Sequence, residues 1–188
     1  MGIFSLFSVS AIAQNMNLRG TVTAFDGKVI SVKVRDGRDL MVELPDNAPV
    51  NITKPLSLAD LKPGQMVGVT TIRRASDGAT VAIDVRPIPA TANPGLTAYD
   101  LQPGSTMTNA ALEAMVQSSN GEEFTLNYKT GTVKVLVPNG TPMSQVVPGQ
   151  RSDIKPGETI FMPTKPAPDG KLTALRAQVS KDGVNPTQ

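Results

Sequence analysis

The sequence predicts an all-β protein made of two tandem, small, five-stranded Greek-key barrels, each with a short helical turn between its third and fourth strands. Three observations support this prediction. A stretch from Asp60 to Gly64 returns almost unchanged as Asp153 to Gly157. Apolar and polar residues alternate along short segments, as they do in half-buried strands. Sixteen glycines and sixteen prolines divide the 188-residue chain with frequent turns.

The second half of the chain aligns with the first at an offset that drifts only from 94 to 92 residues. Leu18 and Val22 align with Leu112 and Val116 at the larger offset. The turn residues keep their order, which indicates an internal duplication. At an offset of 93, Pro45, Pro49, Pro55, Asp60, Lys62, Pro63 and Gly64 align with Pro138, Pro142, Pro148, Asp153, Lys155, Pro156 and Gly157.

The first half divides into five predicted strands. Asp26-Gly27 and Asp36-Gly37 are dipeptides that favour tight hairpins. Ser57 suits the N-cap of a helical turn, and Pro63-Gly64 suits a type II turn that ends it. The strands are predicted over residues 18–25, 29–35, 39–44, 66–73 and 79–86.

The second half repeats this order, with strands predicted over residues 111–116, 124–129, 132–137, 159–164 and 172–179. Three strands, a crossing with a helical turn and two further strands are the element order of the OB fold, a small Greek-key barrel. A pair of SH3-like or open meander barrels is the alternative.

The chain therefore divides into four predicted segments. Residues 1–13 contain an apolar run and the small-x-small pattern Ala11-Ile12-Ala13, which indicate the remnant of an export signal, although no Lys or Arg precedes the run. A mobile apolar terminus or a first strand is the alternative. Residues 14–90 and 107–188 are the predicted barrels, joined by a Pro/Gly-rich linker over residues 91–106.

Composition favours a periplasmic or secreted protein without catalytic machinery. The chain has no cysteine and no histidine, so disulfides, thiolate metal sites and the commonest general base are excluded. No further apolar run approaches the ~20 residues of a membrane-spanning helix. We predict no catalytic residue, no metal site and no cofactor. A formal net charge of +2 makes nucleic acid an unfavoured partner, because phosphate binding normally requires a clustered basic excess.

Four short stretches carry a resemblance to known proteins: residues 18–24 (LRGTVTA), 44–49 (LPDNAP), 61–64 (LKPG) and 104–110 (GSTMTNA). In these stretches the chain resembles a group of exported proteobacterial proteins with tandem OB-like domains and no known function, some of which carry the automatic label metal transporter permease. It implies the fold and an exported location, and it transfers no catalytic residue. The permease label lacks support, because the sequence has neither a spanning segment nor His and Cys ligands.

The predicted ligand-binding residues lie on the outer face of strands two and three and in the fourth loop, where OB folds often bind oligonucleotides or oligosaccharides. This face lacks the aromatic platforms that single-stranded nucleic acids favour. We therefore expect a non-enzymatic exported binding or adaptor protein of the cell envelope whose ligand is unknown and whose partner is an envelope protein or a polyanionic or saccharide ligand. One alternative is a protein that binds a polyanion, an oligosaccharide or single-stranded nucleic acid on the barrel face, and the other is a structural or assembly subunit. The candidate residues are Lys33, Arg35, Arg73, Arg74, Asn127, Lys129 and Lys134.

Overall fold

The computed structural model describes residues 15–167 and 169–186, so the predicted export signal at 1–13 lies outside the described residues. These residues form fourteen β-strands and two single-turn 3₁₀ helices, Leu58–Asp60 and Arg151–Asp153. The strands are β1 Met16–Phe25, β2 Val29–Val34, β3 Asp39–Glu43, β4 Val50–Pro55, β5 Met66–Arg73, β6 Thr80–Pro87, β7 Gly95–Ala98, β8 Thr106–Ser118, β9 Gly121–Tyr128, β10 Gly131–Pro138, β11 Ser144–Pro148, β12 Thr159–Pro166, β13 Leu172–Ala174 and β14 Ala177–Val179.

Five strands close into a first barrel, called barrel I, in the order β1-β2-β3-β13-β12, with β12 returning to β1. The closing pair is antiparallel and places Met16 opposite Thr164. β3 and β13 run parallel, with Val42 opposite Leu172. The strands β14, β4 and β11 extend the same sheet beyond β12.

Five other strands close into barrel II in the order β5-β6-β10-β9-β8, with β8 returning to β5. The parallel pair here is β6 with β10, which places Val81 opposite Leu136. All the strands of barrel II lie between residues 66 and 138, whereas barrel I combines residues 16–43 with residues 159–174. Barrel II is therefore inserted in sequence between the two parts of barrel I.

The prediction of two small closed β-barrels is confirmed, but each barrel takes strands from both halves of the sequence repeat. Barrel I contains the first three strands of the first half and the fourth and fifth strands of the second half. Barrel II contains the first three strands of the second half and the fourth and fifth strands of the first half. The ranges predicted for the barrels, 14–90 and 107–188, therefore do not separate them. The reason is physical: strands four and five of the two halves have similar apolar patterns, so either half supplies an edge that fits.

The segments between the halves also differ from the prediction. The predicted linker at 91–106 connects β6 to β8, which both belong to barrel II, and it contains the unpredicted strand β7 paired with β8. The chain instead passes between the barrels through the two proline-rich crossings. Each crossing contains a strand that the sequence did not predict, and these two strands, β4 and β11, pair with each other.

Each barrel encloses its own apolar core. Barrel I is filled by residues such as Ile30, Val42 and Met162, and barrel II by residues such as Leu112 and Phe124, all of which are fully or almost fully buried. The duplicated turn contributes one apolar residue to each core. Leu61 is buried in the core of barrel II, and its equivalent Ile154 is buried in that of barrel I.

The duplicated turn also joins the halves through the backbone. Gly64 N–H donates to the carbonyl of Leu112 at 2.7 Å, and Gly157 N–H donates to that of Val22 at 2.9 Å. Both glycines have positive φ, 86° and 92°, which a residue with a side chain rarely adopts. Each turn thus fixes the start of a fourth strand against the first strand of the other half.

Candidate functional site: a basic groove on barrel I

A groove of about 340 Å³ lies on the outer face of barrel I, where β1 runs between β2 and β12. Its floor includes Gly20, opposite Val34 on one side and Ile160 on the other. Lys33, Thr21 and Thr159 lie side by side across the groove, in register on β2, β1 and β12. The floor requires glycine, because a Cβ at position 20 would lie 2.4 Å from the carbonyl oxygen of Lys33.

Two predicted binding residues, Lys33 and Arg35, line this groove. Lys33 is exposed, and its ammonium lies 3.6 Å from Asp39, a distance at which the ion pair contributes little in water. Arg35 is also exposed and makes no ion pair with the residues that the structure describes. Among these residues, no carboxylate lines the groove, so the charged side chains in its lining are all positive.

Arg19 also lines the groove, and the sequence reasoning missed it. Its guanidinium lies between two aromatic rings, 5.6 Å from the centroid of Tyr99 and 4.8 Å from that of Phe161. Both Nη atoms donate to Asp100 at 3.0 Å, while Nε is buried and makes no hydrogen bond with the described residues. Only 11% of the Arg19 side chain is exposed. Stacking and bidentate pairing hold arginine in one orientation.

Asp100 lies in the segment between β7 and β8, so the Arg19 contact connects the two barrels. The hydrogen bonds from Arg19 are the largest influence that lowers the pKa of Asp100 below its usual value, and Asn17 adds a weaker contribution. A second groove of about 300 Å³ adjoins the first and shares Arg19 and Arg35 with it. This second groove contains the carboxylates of Asp36 and Asp100.

The other predicted binding residues lie on barrel II. Arg73 and Arg74 lie at the β5–β6 hairpin, where Arg73 Nη1 donates to the carbonyl of Gly78 at 2.7 Å and Arg74 pairs with Asp77 at 2.5 Å. Both arginines are therefore engaged in closing their own turn. The Arg74 side chain and the Ala79 N–H lower the pKa of Asp77 to about 2.

The remaining three predicted residues lie on the β9–β10 hairpin and the turn after β9. Asn127 Nδ2 donates to Glu113 Oε1 at 2.6 Å, and Lys134 pairs with Glu123 at 2.8 Å. Lys129 is exposed. The structure thus brings Lys33 and Arg35 together on barrel I and places the other predicted residues on the other barrel.

The acid of the duplicated turn has a structural role in both halves. Asp60 accepts hydrogen bonds from the backbone N–H and the hydroxyl of Ser57, which lower its pKa, and it thereby caps the first 3₁₀ helix. Asp153 accepts from the N–H of Gln150, the largest influence lowering its pKa, and caps the second. Side chains that cap a helix end in this way are common at such positions.

Within the part of the chain that the structure describes, no three Asp or Glu side chains come together in a way that could hold a metal ion. The same residues include no helix that is both long and apolar enough to cross a membrane. Carboxylates in this protein mostly pair with a neighbouring cation or accept from a turn, as Asp26 does from the N–H groups of Val29 and Lys28.

The predicted resemblance to exported tandem OB-like proteins stays a prediction, because comparison with protein-family models, with curated proteins and with solved structures finds no match to this chain.

Proposed function

We propose that this protein is a non-enzymatic, exported binding or adaptor protein of the cell envelope that holds an anionic group of its ligand in the basic groove of barrel I. The observation that carries the proposal is the convergence of Lys33 and Arg35 on one concave surface whose described lining contains no carboxylate, next to the Arg19–Asp100 pair. Arginine and lysine at such a surface bind carboxylate, sulfate or phosphate groups. Hydroxyl groups of Thr21 and Thr159 add hydrogen-bonding capacity for a saccharide.

The lining also favours a recognition site over a catalytic one. Nucleophilic catalysis needs a nucleophile beside a general base, and the chain contains neither histidine, the commonest general base, nor cysteine. Thr159 Oγ1 donates to Asn185 Oδ1 at 2.8 Å, so its proton is not directed toward a base. A sulfated or carboxylated polysaccharide is the ligand class that fits a surface with positive charge and hydroxyl groups. Single-stranded nucleic acid is unfavoured, because the described surface lacks the aromatic side chains on which its bases stack.

Heparin affinity chromatography in a salt gradient tests this proposal with a matched pair of double variants. Lys33→Gln/Arg35→Gln and Arg73→Gln/Arg74→Gln remove the same formal charge, the first from the groove and the second from the β5–β6 hairpin. We expect only the first to elute at clearly lower salt and to reduce the salt dependence of binding by about one unit for each lost contact. Equal shifts for both variants would mean that binding reflects net charge alone.

An assembly role is the second candidate, and β7 favours it. This four-residue strand forms the edge of its sheet, all but one of its residues are exposed, and the Leu96 side chain is 47% exposed. Exposed edges can pair with a strand of another chain. Light scattering over a concentration series would show association that Thr97→Pro abolishes, if β7 is the contact. A protein that is monomeric throughout would leave the groove as the proposed interaction site.

A further inference from the structure

Two Asn-Gly dipeptides occur in the chain, Asn120-Gly121 and Asn139-Gly140, and both lie on barrel II. Asn120 lies in the turn between β8 and β9, and Asn139 directly follows β10. The two turns are neighbours, because the Asn139 N–H donates to the carbonyl of Asn120 at 3.1 Å. Both asparagine side chains are exposed. The molecule therefore holds the same dipeptide side by side in two different backbone settings.

An asparagine followed by glycine reacts with its own backbone. The glycine nitrogen attacks the Cγ atom of the asparagine side chain, the Cγ–Nδ2 bond breaks, and the proton of the glycine nitrogen leaves with the departing ammonia. Water then opens the resulting succinimide ring at one of its two carbonyls and gives aspartate or isoaspartate. Glycine favours ring closure, because it has no side chain to block the approach and its backbone rotates easily. The reaction requires a glycine nitrogen that neighbouring groups do not hold in place.

The glycine nitrogen of Asn139-Gly140 meets this requirement. The Gly140 N–H and the Asn139 side chain make no hydrogen bond with the residues that the structure describes, and a Cβ at Gly140 would meet nothing within 4 Å. The turn is closed from one residue only, since the N–H and the hydroxyl of Thr141 donate to the carbonyl of Pro138 at 3.0 and 2.7 Å. Exposed turns with so few hydrogen bonds open at low cost, which lets the nitrogen reach Cγ.

The backbone around Asn120-Gly121 is held much more firmly. Gly121 is the first residue of β9 and lies opposite both Ser118 on β8 and Pro138 on β10. A Cβ at Gly121 would overlap the carbonyl oxygen of Val137 and lie 2.9 Å from the Cα of Pro138, so β10 passes directly against this backbone. Rotation of the Gly121 nitrogen toward the Asn120 side chain therefore requires β9 to separate from its neighbours.

We propose that Asn139 is a self-modification site, which converts to aspartate and isoaspartate in the folded protein with water as the only co-reactant, whereas β9 protects Asn120. The conversion lowers the formal net charge from +2 to +1. The new carboxylate lies at a small cavity of about 230 Å³ that Leu58 and Glu122 also line, so it adds a second negative charge there. This cavity shares no lining residue with the basic groove, and the proposal is independent of the proposed function.

Incubation of the full-length protein in mildly alkaline buffer, followed by peptide mapping with mass spectrometry, tests the proposal. We expect conversion in the folded protein to be at least about tenfold faster at Asn139 than at Asn120, which corresponds to about 1.4 kcal/mol in the barrier. In concentrated urea the two dipeptides should react at similar rates, because the strands no longer hold Gly121. Equal rates in the folded protein, or a folded protein that protects Asn139 as well as Asn120, overturns the proposal.

A matched pair of variants connects the reaction to the change of charge. Asn139→Gln moves the amide one methylene farther from the glycine nitrogen, which makes ring closure much slower, and Asn120→Gln makes the same change in the protected dipeptide. Both positions are exposed, so neither variant disturbs packing. On cation exchange, the incubated wild type should accumulate a less basic species that persists in Asn120→Gln and disappears in Asn139→Gln. Its persistence in Asn139→Gln, or its loss in Asn120→Gln, would place the modified residue elsewhere and overturn the proposal.

Discussion

Thr53 lies directly opposite Val146 in the antiparallel pair of β4 and β11, and the two residues are also equivalent in the sequence repeat, because 146 − 53 gives the offset of 93. On either side of this pair, Ile52 lies opposite Val147 and Lys54 opposite Gln145. The repeat is therefore reproduced in space as an approximate two-fold relation centred on Thr53 and Val146. Each half of the sequence supplies three strands to one barrel, crosses this centre, and supplies two strands to the other barrel.

The exchange of strands predicts which fragments fold. Residues 56–143 contain every strand of barrel II and all the residues of its core, so this fragment should fold as a monomer. Residues 14–106 contain a complete sequence repeat but only part of each ring, so they should not. Well-dispersed NMR spectra and cooperative thermal unfolding would identify a folded fragment. A folded monomer from residues 14–106 would contradict the exchanged topology.

Gly20 should tolerate no larger residue. A Cβ at this position would lie 2.4 Å from the carbonyl oxygen of Lys33 and 2.5 Å from Val32 Cγ1, and the β1–β2 pair would have to separate. We expect Gly20→Ala to lower the free energy of unfolding by about 1–3 kcal/mol in urea titrations. The control is Gly131→Ala, whose Cβ would meet nothing closer than 3.8 Å. Equal stability of the two variants would contradict this account of the groove floor.

Leu61 and Ile154 are equivalent in the sequence repeat, and each should contribute a similar amount to the free energy of unfolding. Each is buried in one barrel core next to the duplicated turn, with 3% and 4% of its surface exposed. Truncation of either to alanine should cost about 2–5 kcal/mol, since it removes buried methyl groups and leaves a cavity. Leu96→Ala, at an exposed edge position, should change the unfolding free energy by less than about 0.5 kcal/mol. If both core variants matched Leu96→Ala, the two residues would not be part of the cores.

The Arg19–Asp100 contact should stabilise the folded protein at neutral pH, and this contribution should be lost in acid. The folded-state pKa of Asp100 is lowered from 3.8, chiefly by the hydrogen bonds from Arg19. The contribution of this carboxylate is therefore fully present above pH 3.8 and is lost as the pH falls through the lower, folded-state value. Since the Asp100 side chain is 51% exposed, solvent screens the contact and the effect should be modest.

The measurement is the melting temperature of the wild type and Asp100→Asn between neutral pH and about pH 2, which brackets the usual carboxyl pKa. We expect the variant to melt lower at neutral pH and the difference to shrink toward the acid end. Asp46→Asn is the control, because the Asp46 side chain is 91% exposed and lies 3.7 Å from its nearest cation, Arg151. A gap between wild type and Asp100→Asn that stays constant with pH would show that the carboxylate charge is not responsible.

The sequence could predict what depends on local pattern. The alternation in β2, where Ile30 and Val32 are buried and Lys33 is exposed, is visible in the chain itself. The same holds for the turns at Gly27 and Gly37, which adopt the positive φ expected of such dipeptides. The choice of partner strand was not predictable, because two copies of one pattern offer equally matched edges.

The basic groove was predictable only in part. Lys33 and Arg35 could be placed on an outer face from their alternation with apolar neighbours. Arg19 has the same outward phase on β1, and that phase was the one signal that could have identified it. Its role depends on Tyr99 and Asp100, which lie 80 and 81 residues away in sequence. Contacts at that separation follow from the tertiary fold and leave no local pattern in the chain.

The insertion of barrel II within barrel I also sets an order of events during synthesis. The three strands of β1 to β3 leave the ribosome first, yet the residue that lies opposite Met16 is Thr164, 148 positions later. Barrel II, in contrast, is complete once Pro138 has emerged. The nascent chain therefore carries β1 to β3 with two open edges while barrel II closes, and barrel I is completed only after the barrel inserted within it.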